Sequence, residues 1–209
     1  STVFGGTLSG NLRLVKKGAG TLTLTNASTF AGGTVVSNGT LRLGAANALP
    51  AAGAQNAPMN RDLDRLAEQL GLDRADHELV RLRFGHACAL RVRHLLEDPA
   101  VLACLDGLGR YLDGAIDRAH LDALAAEAAR LANHHPGANS IDGSGHAAVS
   151  ASYAVANALA GRALRAAEYA AYAAVYGPGG YGAVMDAESF GPEHAWQCRQ
   201  LAALAGAAP

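Results

Sequence analysis

Aromatic side chains make up only 5% of this sequence, while half of its residues are hydrophobic. Any packed core must therefore be built mainly from Ala, Leu and Val. Cysteine is nearly absent: Cys88, Cys104 and Cys198 are odd in number, widely spaced and form no CxxC. That pattern argues against a disulfide framework and for buried free thiols in a reducing compartment. No uninterrupted apolar run approaches the roughly 20 residues that span a bilayer. Ser1 opens no signal-peptide pattern. A formal net charge of −1 gives no whole-chain attraction to nucleic acid or membrane.

Two further absences divide the chain. Residues 1–58 contain no Asp or Glu, only Arg13, Lys16, Lys17 and Arg42. Residues 59–209 contain no Lys, but 13 Arg and 18 acids. The pieces carry +4 and −5, which reads as two sequence origins joined end to end. We expect a β-repeat segment over 1–47, a linker over 48–58 and an all-α domain over 59–209.

The first piece repeats itself. Leu22 and Leu24 alternate with Thr21, Thr23 and Thr25; Leu41 and Leu43 alternate with Thr40 and Arg42. Alternation of period two with β-branched residues argues for half-buried strands. Gly-Thr-Leu recurs every 14–19 residues, which argues for stacked coils. The run Gly20-Thr21-Leu22-Thr23-Leu24-Thr25-Asn26, then Thr29-Phe30-Ala31-Gly32-Gly33-Thr34-Val35-Val36-Ser37, then Gly39-Thr40-Leu41 resembles the passenger-associated repeat of bacterial autotransporters. The resemblance spans roughly residues 5–50. It implies a short right-handed parallel β-helix-like segment, structural in role and secreted or displayed at the cell surface. A hairpin or irregular arm is the structural alternative. One or two coils cannot close a core alone, and unpaired strand edges invite self-association.

Small residues bracketed by Pro50 and Pro58 mark the linker. Beyond it the spacing turns helical. Leu63, Leu66, Ala67 and Leu70 recur at i, i+3, i+4 and i+7, predicting a helix over 61–70 that stops at Gly71. A second helix is expected over 76–97, capped by Asp73 or Asp76, with Leu79, Val80, Phe84, Ala87, Cys88, Leu90, Val92, Leu95 and Leu96 as its apolar positions. Asp98-Pro99 opens a third, and a fourth spans 117–133. A loop through Ser140–Gly143 leads into an alanine-rich run over 145–176, divided at Gly161 and ended by Gly177–Gly180. A last helix starts at Asp186 or Gly191-Pro192. Six or seven helices with short connections make a compact bundle.

Three helical segments, read together, resemble the Imm-5-like immunity proteins of bacterial polymorphic-toxin systems. They are Ala87-Cys88-Ala89-Leu90-Arg91-Val92-Arg93-His94-Leu95-Leu96-Glu97, Gly145-His146-Ala147-Ala148 through Ala166-Ala167-Glu168-Tyr169-Ala170-Ala171, and Glu193-His194-Ala195-Trp196-Gln197-Cys198-Arg199-Gln200-Leu201. The resemblance implies a cytoplasmic protein that binds and neutralises a cognate toxin, without chemistry or a cofactor of its own. The β-repeat extension lies outside that pattern.

Enzymatic readings find little footing in the residues. Eight histidines invite a metal test, yet there is no HExxH and no i, i+4 His pair. A zinc or iron site would need distant helices. Cys88 with His86 or His146 is a conceivable nucleophile and base, but a cysteine amid Ala, Leu and Val is ordinarily inert. Asp142-Gly143-Ser144-Gly145 has no preceding strand, so no nucleophile elbow follows. Gly177–Gly182 lacks the Lys-Ser/Thr ending of a phosphate cradle. The most conspicuous surface feature is Arg81, Arg83, Arg91 and Arg93. It reads either as a solvated helix face with local ion pairs or as the edge that meets an acidic toxin, with Arg as anchor. Trp196, the only tryptophan, suits a core plug. The leading expectation is a non-enzymatic toxin-binding protein; a passenger fragment and a metal-dependent helical enzyme are the alternatives.

Overall fold

The computed structural model describes residues 1–10, 14–26, 28–30, 34–45, 59–135 and 145–206. The linker 48–58 and the Ser140–Ser144 loop, both singled out above, lie outside the described residues. The chain separates into two compact units, Ser1–Asn56 and Ala57–Pro209.

The first unit contains β1 (Thr2–Phe4), β2 (Ser9–Gly10), β3 (Leu14–Lys16), β4 (Thr21–Leu24), β5 (Thr29–Phe30), β6 (Thr34–Val36) and β7 (Thr40–Leu43). All pairings are parallel. β1, β4 and β7 form one sheet, β2 pairs with β5, and β3 with β6. Thr2 sits beside Leu22, Ser9 beside Thr29 and Leu14 beside Thr34, so the chain returns to the same place after twenty residues. Polar side chains of one turn bond the backbone of its neighbour. Asn26 Nδ2 donates to the Gly5 carbonyl at 2.7 Å, and the buried Ser28 hydroxyl accepts from Leu8 N–H at 3.3 Å. Lys16 is 8% exposed, and its ammonium donates to the carbonyls of Lys17, Gly18 and Asn38 at 3.0, 2.6 and 3.2 Å. Gly39 completes this turn at φ 78°; a Cβ there would lie 2.3 Å from the Gly18 carbonyl oxygen. Only glycine fits so close an approach in the left-handed region.

The second unit is helical: α1 (Arg61–Leu70), α2 (Glu78–Arg91), α3 (Pro99–Leu112), α4 (Arg118–Asn133), α5 (His146–Leu159), α6 (Ala163–Met185) and α7 (Gly191–Gly206). Several ends follow the local code. Asn60, Asp98 and Asp117 accept hydrogen bonds from the N–H groups of Leu63, Ala100 and His120, capping α1, α3 and α4.

Two features differ from expectation. Neither Asp73 nor Asp76 caps the second helix; Asp76 is paired with Arg74, and a 3₁₀ turn over Ala75–His77 precedes α2. The expected helix over 76–97 stops at Arg91 and continues as a 3₁₀ turn over Arg93–Leu95. Pro99 requires extended backbone ahead of it, so the chain tightens and leaves the helix before Asp98. As expected, the regular helix breaks within Gly177–Gly180: Gly180 is non-helical (φ 59°, ψ −153°), and α6 comprises two helical segments on either side of it, the second reaching Met185. Burial of Val184 with Tyr172, Tyr176 and Phe190 holds the far segment in place.

The core gathers around α5. From Ala147 to Leu159 every residue except Tyr153 is buried. Its surface is mostly Ala, Ser and Val, and α2, α3, α4 and α6 all pack directly on it. A small-residue helix lets its neighbours come close. One close approach is at Gly85 of α2, where a Cβ would lie 3.0 Å from the Ala158 Cα. The large side chains Phe84, Leu105, Leu108, Leu121 and Leu201 are fully buried in the same core.

Gly85→Val should force α2 and α5 apart and cost about 2 kcal/mol, by overpacking. For a unit of this size the thermal midpoint falls by roughly 4–8 °C. Gly206→Ala, where nothing lies within 4 Å, should leave the midpoint unchanged in the same calorimetric scan.

Candidate binding surface

The four arginines of the sequence cluster do not form a cluster in space. Residues two apart on a helix point to different sides, and the fold gives each a separate task. Arg81 donates to the carbonyls of Leu72 and Arg74 at 2.6 and 2.7 Å, clamping the connection that follows α1. Arg93 pairs with Asp106 of α3, which holds the Asp106 carboxyl below its ordinary range. Arg91 reaches α7: its Nε lies 3.0 and 2.9 Å from the two carboxylate oxygens of Glu193, and its guanidinium stacks on Trp196, 4.3 Å from the ring centroid. Glu193 is only 5% exposed, so this pair ties α2 to α7 where water is scarce. Arg83 alone of the four is exposed without a hydrogen bond or ion pair among the described residues.

Arg83 has company that the sequence reading missed. Leu79 and Leu90 were assigned to the apolar face of the second helix, yet each is 43% exposed. Positions 79, 83 and 90 are separated by four and seven residues and so fall within about 40° of one another around a helix. The opposite side carries Val80, Leu82, Phe84, Gly85, Cys88 and Ala89, all buried. Leu79, Arg83 and Leu90 thus make an outward stripe on a helix otherwise enclosed by the fold. Hydrophobicity alone could not separate Leu79 from Val80; the angular positions of the two leucines relative to Phe84 and Cys88 carried the signal.

Beside the stripe, His86 meets α3. A Cβ on Gly109 would lie 3.4 Å from His86 Nε2. Burial pushes the His86 pKa down, with Arg93 acting in the same direction and Asp113 and Asp106 against it. Arg110 and Asp113 are exposed nearby on α3 and its end. The flank therefore carries both signs of charge around a narrow apolar centre.

The other candidates of the sequence are placed elsewhere. Cys88 is fully buried, and burial, then the Glu193 charge, push its thiol pKa far up, which opposes the thiolate a nucleophile needs. His86 leaves α2 on another side. Cys104 is buried and Cys198 half-buried, and all three thiols are free. Among the described residues no three His, Cys, Asp or Glu side chains come together as a metal site, and no helix is long and apolar enough to cross a membrane. Trp196 is half-buried, packs against the main core and covers the Arg91 guanidinium.

A buried polar chain knits α1, α6 and α7. Gln197, 1% exposed, donates to the Ala167 carbonyl at 2.9 Å and accepts from Asn60 Nδ2 at 3.2 Å, while Asn60 Oδ1 caps α1. A cavity of about 170 Å³ opens beside it, with Leu63, Leu164 and Ala171 on its wall and the Arg165–Glu168 ion pair at 2.7 Å. His194 lines this cavity, its pKa lowered by burial against an opposing pull from Glu193.

Comparison with known proteins touches only the first unit. The family described as passenger-associated-transport-repeat matches residues 14–43, which lie within the parallel-strand unit. No curated protein and no solved structure matches the chain.

The two half-buried histidines set a pH dependence. A histidine whose pKa is lower folded than unfolded binds fewer protons in the native state, so its contribution is complete above the unfolded value near 6.5 and is lost as pH falls through the folded value. The depressed carboxylates Asp106, Asp117 and Glu127 add a further loss only once pH falls into and below the ordinary carboxylate range. The thermal midpoint should therefore drop between pH 7 and pH 5. His86→Gln with His194→Gln should flatten that window and leave the acid limb. A parent protein equally stable at both pH values would show the assignment to be wrong.

Proposed function

We propose that the helical unit is a non-catalytic binding protein that neutralises a cognate bacterial toxin by covering it, and that the first unit is a short right-handed parallel β-helix of the autotransporter-passenger kind. The observation that carries the first part is the outward stripe of α2. An exposed arginine between two exposed leucines, rimmed by charges of both signs, has the make-up of a small protein-binding centre. The rigid packing of α2 on α5 keeps that stripe in one geometry, which limits the ordering cost of association.

The resemblance to Imm-5-like immunity proteins is consistent with this placement. Its three segments lie on α2 and the following turn, on α5 and α6, and on α7. The Arg91–Glu193 pair spans 102 positions and joins the first segment to the third, and the Gln197 to Ala167 hydrogen bond joins the third to the second. Far-apart segments that depend on one another are what an inherited domain, rather than chance alanine-rich helices, would have. Occlusion needs no catalytic group: a folded surface set over a toxin's active site suffices, with charge complementarity governing encounter rate and specificity. The matched repeat over 14–43 favours a second reading, in which the chain is part of a displayed passenger and the helical unit rides on it.

Co-expression with the toxin encoded beside the natural gene, with an unrelated toxin as control, tests the main reading. Selective rescue and a co-purifying complex are expected. Arg83→Glu combined with Leu90→Glu should abolish both while the circular dichroism spectrum is unchanged. Arg165→Glu, on a different face of the unit, should leave rescue intact. A folded protein that gives neither rescue nor complex would overturn the proposal.

A further inference from the structure

The cavity walled by α1, α6 and α7 shares no residue with the outward stripe of α2. Its volume is about 170 Å³. An apolar protein cavity of roughly 150 Å³ takes benzene, so the space suits a body of about one six-membered ring. Leu63, Leu164 and Ala171 give such a body an apolar wall. Leu63 and Ala171 are 2% and 1% exposed, so most of that wall belongs to the packed helices and keeps its shape.

The polar groups on the lining are of two kinds. Gln197 and Asn60 are engaged with each other, with the Ala167 carbonyl and with the cap of α1. They hold the helices together. The charged groups are less completely matched. Arg165 is taken by Glu168 at 2.7 Å, and Arg65, which follows Asp64 in the chain, is taken by Asp62 at 3.4 Å. Asp64 lines the cavity, is half-buried, and forms no ion pair among the described residues. It is not the cap of α1, because Asn60 is. With Asp64 and Glu168 negative and Arg165 positive, the lining carries one uncompensated negative charge. His194 adds no positive charge at neutral pH, since burial favours its uncharged form against the pull of Glu193.

A carboxylate beside apolar surface discriminates among ligands by charge. An ammonium on a short apolar body satisfies both features, pairing with the carboxylate and covering the wall. A neutral molecule of the same shape displaces water from Asp64 and returns no charge to it. An anion meets a like charge. We infer that this cavity is a binding site for a small organic amine, with the ammonium against Asp64 and an apolar body against Leu63, Leu164 and Ala171. The site goes beyond toxin binding and does not depend on it.

Benzylamine, benzyl alcohol and benzoate carry the same ring and differ in charge. Each is titrated into the full chain at about pH 7.5, above the ordinary histidine range, and followed by amide chemical shifts. Benzylamine should shift the amides of Leu63, Ala171 and His194 to saturation and leave those of Leu79 and Leu90 in place. Benzyl alcohol should bind at least about tenfold more weakly, as loss of a charged hydrogen bond requires, and benzoate more weakly still. Asp64→Asn, nearly the same in shape, should reduce benzylamine to the affinity of the alcohol. Leu164→Trp, at a half-buried position, should fill the space and abolish binding of both with the circular dichroism spectrum unchanged. Equal affinity for amine and alcohol in the parent, or benzylamine binding untouched by Asp64→Asn, would overturn the choice of ligand. Cavity amides that do not respond to benzylamine, or a response that survives in folded Leu164→Trp, would overturn the site. Should Leu164→Trp fail to fold, the parent and Asp64→Asn titrations decide by themselves.

Discussion

The helical unit depends on one constraint: α5 is enclosed on nearly every side and has almost nothing but Ala, Ser and Val with which to meet its neighbours. Because its side chains are short, α2, α3, α4 and α6 must lie close to it, and Gly85 marks one close approach of α2, against Ala158. Close backbones then decide what the larger residues do. Phe84, Leu105, Leu121 and Leu201 are fully buried among them. One side of α2 is consumed in this way. Leu79, Arg83 and Leu90 are what remains on the other side, and their exposure is a consequence of where α5 draws the helix.

Most ion pairs among the described residues are local, but three join distant parts of the chain. Arg91 and Glu193 bind α2 to α7 with Trp196 laid over the guanidinium, and Arg118 joins α4 to Glu78 at 2.6 Å. The first unit uses its only acid-free chemistry in the same sense. Lys16 has no carboxylate there to pair with and satisfies its ammonium on three backbone carbonyls, across two successive turns. An arginine read as a binding anchor from sequence can therefore be a structural tie, and the partner that reveals it lies far along the chain.

The sequence made the division of the chain into strands and helices legible because each rests on local periodicity. Thr21–Thr25 could be read as strand, and Leu63–Leu70 as helix, from their own spacing. The start at Asp98-Pro99 was equally local. What could not be read was long-range. Nothing near Arg91 announces Glu193, and nothing near Asn60 announces Gln197. The break at Gly177–Gly180 was likewise local, since glycine and proline disfavour helix, but the second helical segment beyond it, held by burial of Val184, could not be read. The outward stripe was hidden for a related reason: Leu79 and Leu90 are as apolar as the core residues beside them, and only the direction from which α5 approaches makes them surface.

Residue-resolved hydrogen exchange of the free chain tests the role of α5 most directly. The amides of Ala151–Ala158 should exchange only through global unfolding, slower than any in α1, whose outer face is exposed along Asp62, Arg65 and Glu68. Amides of α2 should follow α5 in protection despite the exposed leucines, since the helix is held from its buried side. Exchange of α5 at the rate of α1 would contradict the account, because a helix that opens locally cannot be the element against which the others, and the stripe on α2, are fixed.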